Sequence, residues 1–259
     1  MILEGTPPER FALEHGHYDE DIPFWVALAH TTGGPVLDVG AAVGRVTIPI
    51  ARLGHQVCGV DGSQGMLDAL VAALAREPPG VAALISTARC DFRTLDLGDR
   101  RFPLALMPMN SLQALLTRED QLACLAGIRR HLPAGGVFAF DVAMPDLDAI
   151  ASALGQVQSG STWIDPVSGA ALAHSAWFDA VDAASGTVSF TARIEQSAAD
   201  GTTAAHLRPH TVHLFSPTEL WELLHEAGFE VQAVYGDFDG TPLSSGAERQ
   251  IYRCGVGHE

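Results

Sequence analysis

Three acidic residues close short apolar runs near the start of this chain: Asp38 in VLDVGAAVGR (36–45), Asp61 in QVCGVD (56–61) and Asp91 in CDF (90–92). Gly40 and Gly44 follow Asp38, and a glycine turn at a strand end lets backbone approach a nucleotide. The turn reads G-A-A-V-G, without the GxGxxG spacing of a dinucleotide fingerprint. A carboxylate beside it repels a pyrophosphate and favours a ligand with a positive amine or sulfonium and no phosphate. Asp61 lies 21 residues after Gly40, where a carboxylate accepts both hydroxyls of a ribose. The run Asp61-Gly62-Ser63 serves equally as a helix N-cap. Asp91 can accept from an exocyclic adenine amine, with Phe92 and Met66 as apolar faces. Taken alone, Asp91 is equally well an exposed loop carboxylate. Together, acids at successive strand ends converge on one crevice of an open parallel sheet.

Other polar groups admit two readings. Asn110, the only asparagine in the chain, lies in MNSLQ (109–113) with Gln113. It can act on a substrate, or Asn110 or Ser111 can cap a helix; Gln113 orients a substrate or faces solvent. HGHYDED holds His15, His17, Tyr18 and Asp19, and with no third ligand at suitable spacing no metal is expected. Of His174, His206, His210 and His213, strand geometry puts His206 and His210 on one face and His213 on the other. One of them can be a general base near neutral pH, although strand histidines are more often packed or exposed. Asp237 and Asp239 in GDFDG attract a cationic amine or cap a turn.

These residues need a scaffold, and the 259-residue chain supplies one. Residues 1–20 read as polar and irregular, and DIPFWVALAHTT (21–32) as a helix. Apolar strands at 35–40, 56–61, within 81–92, 102–109 and 137–142 alternate with helices at 44–54, 63–77 and 118–132. That alternation predicts an α/β fold with a parallel, doubly wound sheet. From 155 to 215 helical periodicity gives way to antiparallel strands at 171–181, 187–197 and 207–215 with turn signals between them. SPTELWELLHEAGF (216–229) opens with a capping box, Ser216 and Glu219. Strands at 229–238 and 248–256 form a last antiparallel pair at the sheet edge. The expected division is 1–34, a core over 35–154, an insertion over 155–215, and 216–259 completing the core.

Composition excludes several functions. All 15 basic residues are arginine, so chemistry that needs lysine, such as a Schiff base or a P-loop, is absent. A formal net charge of −16 opposes binding to nucleic acid or an anionic membrane. No apolar run matches a membrane helix and no signal peptide is read. Cys58, Cys90, Cys124 and Cys254 are widely spaced, which suits free thiols in a reduced, cytoplasmic protein.

These motifs resemble the class I S-adenosylmethionine-dependent methyltransferases over nearly the whole chain. VLDVGAAVGR is similar to that family's glycine-rich motif, with Asp38 as its acidic residue. In GVDGSQGML, Asp61 matches the ribose-holding acid. CDF matches the adenine-side position, and FPLALMPMNSLQAL the fourth motif, at the strand end facing the methyl group. LAGIRRHLPAGGVFAFDV and the closing helix with its reversed strand pair also match, closest to small-molecule enzymes with an antiparallel insertion. Ala42 replaces the middle glycine, which a negative φ would tolerate. The fourth motif lacks the D/N-P-P-aromatic form, which counts against a DNA methyltransferase.

The resemblance implies a Rossmann-like, mostly parallel sheet with an antiparallel last strand, and an antiparallel β insertion as substrate lid. It implies S-adenosylmethionine as cofactor, S-adenosylhomocysteine as product, and no metal. Cofactor contacts fall on Tyr18, Asp38, Gly40, Ala41, Ala42, Gly44, Arg45, Asp61, Gly62, Ser63, Met66, Cys90, Asp91, Phe92, Met107 and Pro108. Trp25, Met109, Asn110, His213 and Asp237 are expected at the substrate, and Tyr18, Asn110, Gln113 and His210 in catalysis. The acceptor is a small molecule, an amine favoured over hydroxyl or carbon, handled by a monomer or homodimer. The alternatives are a nicotinamide-dependent oxidoreductase, opposed by Asp38 and the missing GxGxxG, and a non-catalytic binder of the same ligand.

Overall fold

The computed structural model describes residues 7–15, 18–165, 169–197 and 202–257. The chain forms two compact units, one running to Met144 and resuming at Phe215, the other spanning Pro145–Leu214.

The first unit is built on a seven-stranded sheet. Its strands are β1 (Val36–Val39), β2 (Val57–Asp61), β3 (Ile85–Arg89), β4 (Leu104–Met107), β5 (Val137–Ala143), β10 (Glu230–Tyr235) and β11 (Arg249–Gly255), in the order β10-β11-β5-β4-β1-β2-β3. β1 to β5 run parallel, while β11 is antiparallel to both β5 and β10. This is the doubly wound sheet that the alternating pattern predicts, with the Rossmann-like order and reversed last strand that the resemblance implies. β1, β2 and β4 are buried along their whole length, which is why they read as unbroken apolar runs.

Helices α2 (Ile22–Thr32) and α3 (Thr47–Arg52) cover one face through Trp25, Ala29, Ile50 and Ala51. Helices α6 (Arg118–Arg130) and α8 (Pro217–Glu226) cover the other through Cys124, Leu125, Ile128, Leu220, Leu223 and Leu224. α4 (Gln64–Leu74) follows β2 and is capped by Ser63, whose hydroxyl accepts from the Met66 amide. A short α5 (Pro79–Ala82) leads into β3. Before α2 the structure differs from the sequence expectation, because residues Pro8–His15 form helix α1. Its Phe11 is buried with Ala42 and Met66, so one apolar anchor holds a segment that otherwise reads as polar.

The second unit is a four-stranded antiparallel sheet, β6 (Gln158–Ile164), β7 (Ala171–Asp182), β8 (Thr187–Ser197) and β9 (Thr203–His213), in sequence order. β6 is exposed at nearly every residue, so it carries no hydrophobic signal. Helix α7 (Leu147–Ser152) packs Leu147 and Ile150 against Phe178, Val188, Phe190 and Val212. The unit therefore begins earlier in the chain than the compositional shift at 155.

Candidate active site

The chain winds from β1 to β2 and β3 on one side and then crosses to β4 on the other, making the carboxyl ends of β1 and β4 the switch point of the sheet. Ligands of open α/β sheets bind there. Pairing of Asp38 with Gly59 and Leu106, and of Leu106 with Ala139, fixes the side-chain faces. By alternation, Asp38, Asp61 and Asp141 then share one face at the ends of β1, β2 and β5.

The turn after β1 is left-handed at Gly40 (φ 86°) and Gly44 (φ 92°). A Cβ on Gly40 would lie 3.0 Å from the Ser111 hydroxyl and 3.5 Å from the Phe92 ring. The turns after β1, β3 and β4 thus close on one point, where only glycine leaves room. Ala42 is also left-handed, at φ 45°, so its backbone is not in the negative-φ conformation that would tolerate alanine. Its amide is tethered, donating to Asp61 Oδ2 at 3.1 Å.

Asp38 is 1% exposed and accepts from the Thr47 hydroxyl at 2.5 Å. Burial pushes its pKa up to about 6 against the opposing Thr47 bond. Asp61, 2% exposed, also accepts from the Ser63 amide at 2.8 Å; burial raises its pKa too. Asp61 therefore ties the glycine turn to the start of α4, and Ser63 rather than Asp61 is the N-cap. Asp91 is different. It caps the 3₁₀ turn Phe92–Thr94 and binds the Arg93 guanidinium, which holds its pKa down at about 2. Cys90 beside it points its thiol at the Asp91 and Thr94 carbonyls.

After β4, Met109 (φ 62°) and Asn110 (φ 58°) are consecutive left-handed residues. Their amides donate to Asp141, Met109 to Oδ1 at 2.6 Å and Asn110 to Oδ2 at 3.3 Å. Asn110 precedes the 3₁₀ turn Ser111–Ala114 without capping it through its side chain, and the Ser111 hydroxyl donates instead to the Pro108 carbonyl at 2.7 Å. Met109 packs with Ala42 and Met66. Gln113 is 2% exposed, and its amide nitrogen has no acceptor among the described residues. Met107 is fully buried in the opposite-face core, which leaves only its backbone for a ligand.

Arg45 makes a paired contact with Asp21, at 2.5 and 2.8 Å, and donates to the Tyr18 carbonyl. The Tyr18 hydroxyl accepts from Arg249 at 3.0 Å. Burial raises the Tyr18 pKa despite Arg249. Trp25, expected at the substrate, is instead completely buried, its indole N–H donating to Asp21 at 2.9 Å. An aromatic residue at helical spacing on the inner face of α2 belongs to the core. Asp237 is largely exposed, 3.9 Å from Arg249. The His15 ring packs against Phe11 in a tilted arrangement, centroids 4.6 Å apart; His17 lies outside the described residues.

His210 and His213 belong to the second unit. His210 stacks on Phe190 at 4.9 Å, and burial pushes its pKa down to about 4. It is therefore a weaker base than a histidine tuned to neutral pH. His213 is 7% exposed.

Asp141, Asp21, Arg249 and Thr47 escape the sequence reading. The signal for Asp141 was available: it is the one acid near the end of the apolar run VFAFDV, as Asp38 and Asp61 are of theirs. Among the described residues no group of three or more potential metal ligands forms, and no helix is long and apolar enough to cross a membrane.

Comparison with known proteins agrees with this geometry. Residues 36–136 match a family model described as a methyltransferase domain. The solved CcbJ methyltransferase of Streptomyces caelestis is 25% identical, with a TM-score of 0.74 over 98% of both chains. The S-adenosylmethionine-bound CalS10 structure, an amino pentose methyltransferase of Micromonospora echinaspora, shares the fold at 18% identity. Its TM-score is 0.70 over 95% of both chains. The cypemycin N-terminal methyltransferase of a Streptomyces species is 32% identical over 113 residues, 44% of this chain and 43% of that one. The chain carries a methyltransferase domain and is an enzyme similar to the class I S-adenosylmethionine-dependent methyltransferases. Its residues fit that cofactor: glycine alone leaves room between Ser111 and Phe92 at position 40, and the carboxyl ends of β1 and β2 carry the buried carboxylates Asp38 and Asp61.

Proposed function

We propose that the enzyme methylates an amine on a small-molecule acceptor. The observation that carries this reading is the character of the ionisable groups around the β1–β4 switch point. Asp38 and Asp141 are buried carboxylates already engaged by the Thr47 hydroxyl and by the Met109 and Asn110 amides, so neither is placed to take a proton from an alcohol. Tyr18 has a raised pKa and is hydrogen-bonded to Arg249, so it is neutral at physiological pH. An amine needs no strong base; it needs only to arrive unprotonated. The amino pentose and N-terminal methyltransferases similar to this chain are named for nitrogen-bearing acceptors.

In this reading Gly40, Ala41, Ala42 and Gly44 form the floor of the cofactor site, with Asp38 as its negative pole. Asp61, Gly62 and Ser63 take the ribose, and Met66, Phe92 and Asp91 border the adenine. S-adenosylmethionine, when bound, supplies an electrophilic methyl on a sulfonium. An acceptor amine held in line with that methyl would attack it with its lone pair, displacing S-adenosylhomocysteine, and would release its proton to solvent. The protein's main contribution is alignment. Met109 and Asn110 border the methyl-facing end, and the unpartnered Gln113 amide nitrogen is the donor we assign to the acceptor.

The test is a panel of matched primary amines, secondary amines and alcohols, amino sugars among them, with methylated products identified by mass spectrometry. The reading expects transfer to nitrogen, and a Gln113→Leu variant with raised KM for the amine. Transfer confined to hydroxyl acceptors would overturn it.

A further inference from the structure

Met109 and Asn110 hold a backbone conformation that side-chain-bearing residues rarely adopt, and they do so in succession. Methionine has no polar group with which to stabilise that shape, and the Asn110 side chain makes no cap bond. The restraint comes from another strand, as both amides converge on the two oxygens of Asp141. The turn so formed seats Met109 against Ala42 and Met66 and brings Ser111 to within contact of the Gly40 position.

We propose that Asp141 is a positioning residue for methyl transfer, its carboxylate fixing the Met109–Asn110 turn against the glycine turn. The inference rests on the reading above, that this turn is the methyl-facing end of the site. Asp141 acts through the turn and is only 5% exposed. The charged and titratable groups acting on it or through it are Asp21, Arg45, Tyr18 and Arg249. Burial, reinforced by Asp21 and opposed by the two amides and Arg45, raises its pKa to about 6. Protonation below that pH removes the anionic acceptor from the amides and loosens the turn.

The experiment compares wild type, Asp141→Asn and Asn110→Ala in the full chain. It measures kcat on an amine acceptor at saturating S-adenosylmethionine, and S-adenosylhomocysteine affinity by calorimetry. Asp141→Asn is expected to lower kcat by about tenfold or more, on the scale of a small misalignment, with affinity within about threefold. Wild-type kcat in Asp141→Asn, or equal loss of kcat and affinity, overturns the inference. If Asn110→Ala also leaves kcat unchanged, the reading of the turn fails with it; if only Asn110→Ala lowers kcat, the role of Asp141 alone fails. Should Asp141→Asn not fold, wild type suffices. The Met109 and Asn110 amide resonances of ¹⁵N-labelled protein should titrate with the midpoint at which kcat falls, near the Asp141 pKa of about 6. Amides that stay fixed while kcat falls overturn the inference.

Discussion

Among single residues, Asp38 carries the sharpest consequence. It is buried and protonates near pH 6, whereas the proposed ligand carries positive charge. Binding should favour the ionised carboxylate, so affinity for S-adenosylmethionine should fall as pH drops through about 6 and be level above it. Calorimetry from pH 8 to 5 checks this, and Asp38→Asn should flatten the profile. Gly40→Ala forces a left-handed alanine into contact with Ser111, and should cost ~1–2 kcal/mol in urea unfolding. His210 works through the opposite sign. Its folded pKa lies near 4, below the ordinary 6.5. As pH falls through that window the unfolded chain takes up a proton that the folded chain refuses, so stability is lost. His210→Gln should remove that part of the acid sensitivity, measured as the difference between the two unfolding curves at pH 7 and 4.5.

At the level of elements, the site depends on where strands stop. β1, β2 and β5 each carry an acid on the same face at or near the carboxyl end, and β4 ends in a strained turn that β5 restrains. Helix caps fix how the chain leaves those ends. The Ser216 hydroxyl accepts from the Glu219 amide at the start of α8, as the capping-box spacing predicts. Ser216→Ala should cost ~1 kcal/mol of stability, read by thermal or urea unfolding. α8 packs on the core through Leu220, Leu223 and Leu224, so the loss should appear in the global transition.

For the whole molecule, the net charge of −16 should draw in a cationic acceptor. Raising ionic strength from ~0.05 to ~0.5 M should raise KM for a cationic amine several-fold and leave a neutral acceptor unaffected. The sheet was legible because strands buried on both faces are unbroken apolar runs. So were Asp38 and Asp61, since each ends one. β6 was not, because its residues are exposed and carry no period, nor was α1, whose buried Phe11 lies in a segment that reads as polar and irregular. Trp25 misled because a buried aromatic and a pocket aromatic look alike in sequence. The Asp141 clamp joins positions 32 residues apart, a link that only the β4–β5 pairing creates.

The most direct test of the central claim is calorimetric titration of S-adenosylhomocysteine into wild type and Asp61→Ala. The account predicts saturable one-to-one binding, weakened in the variant by ~1–3 kcal/mol through lost charge-assisted hydrogen bonds. Equal affinity in the two proteins, or no binding to the wild type at millimolar ligand, would contradict it.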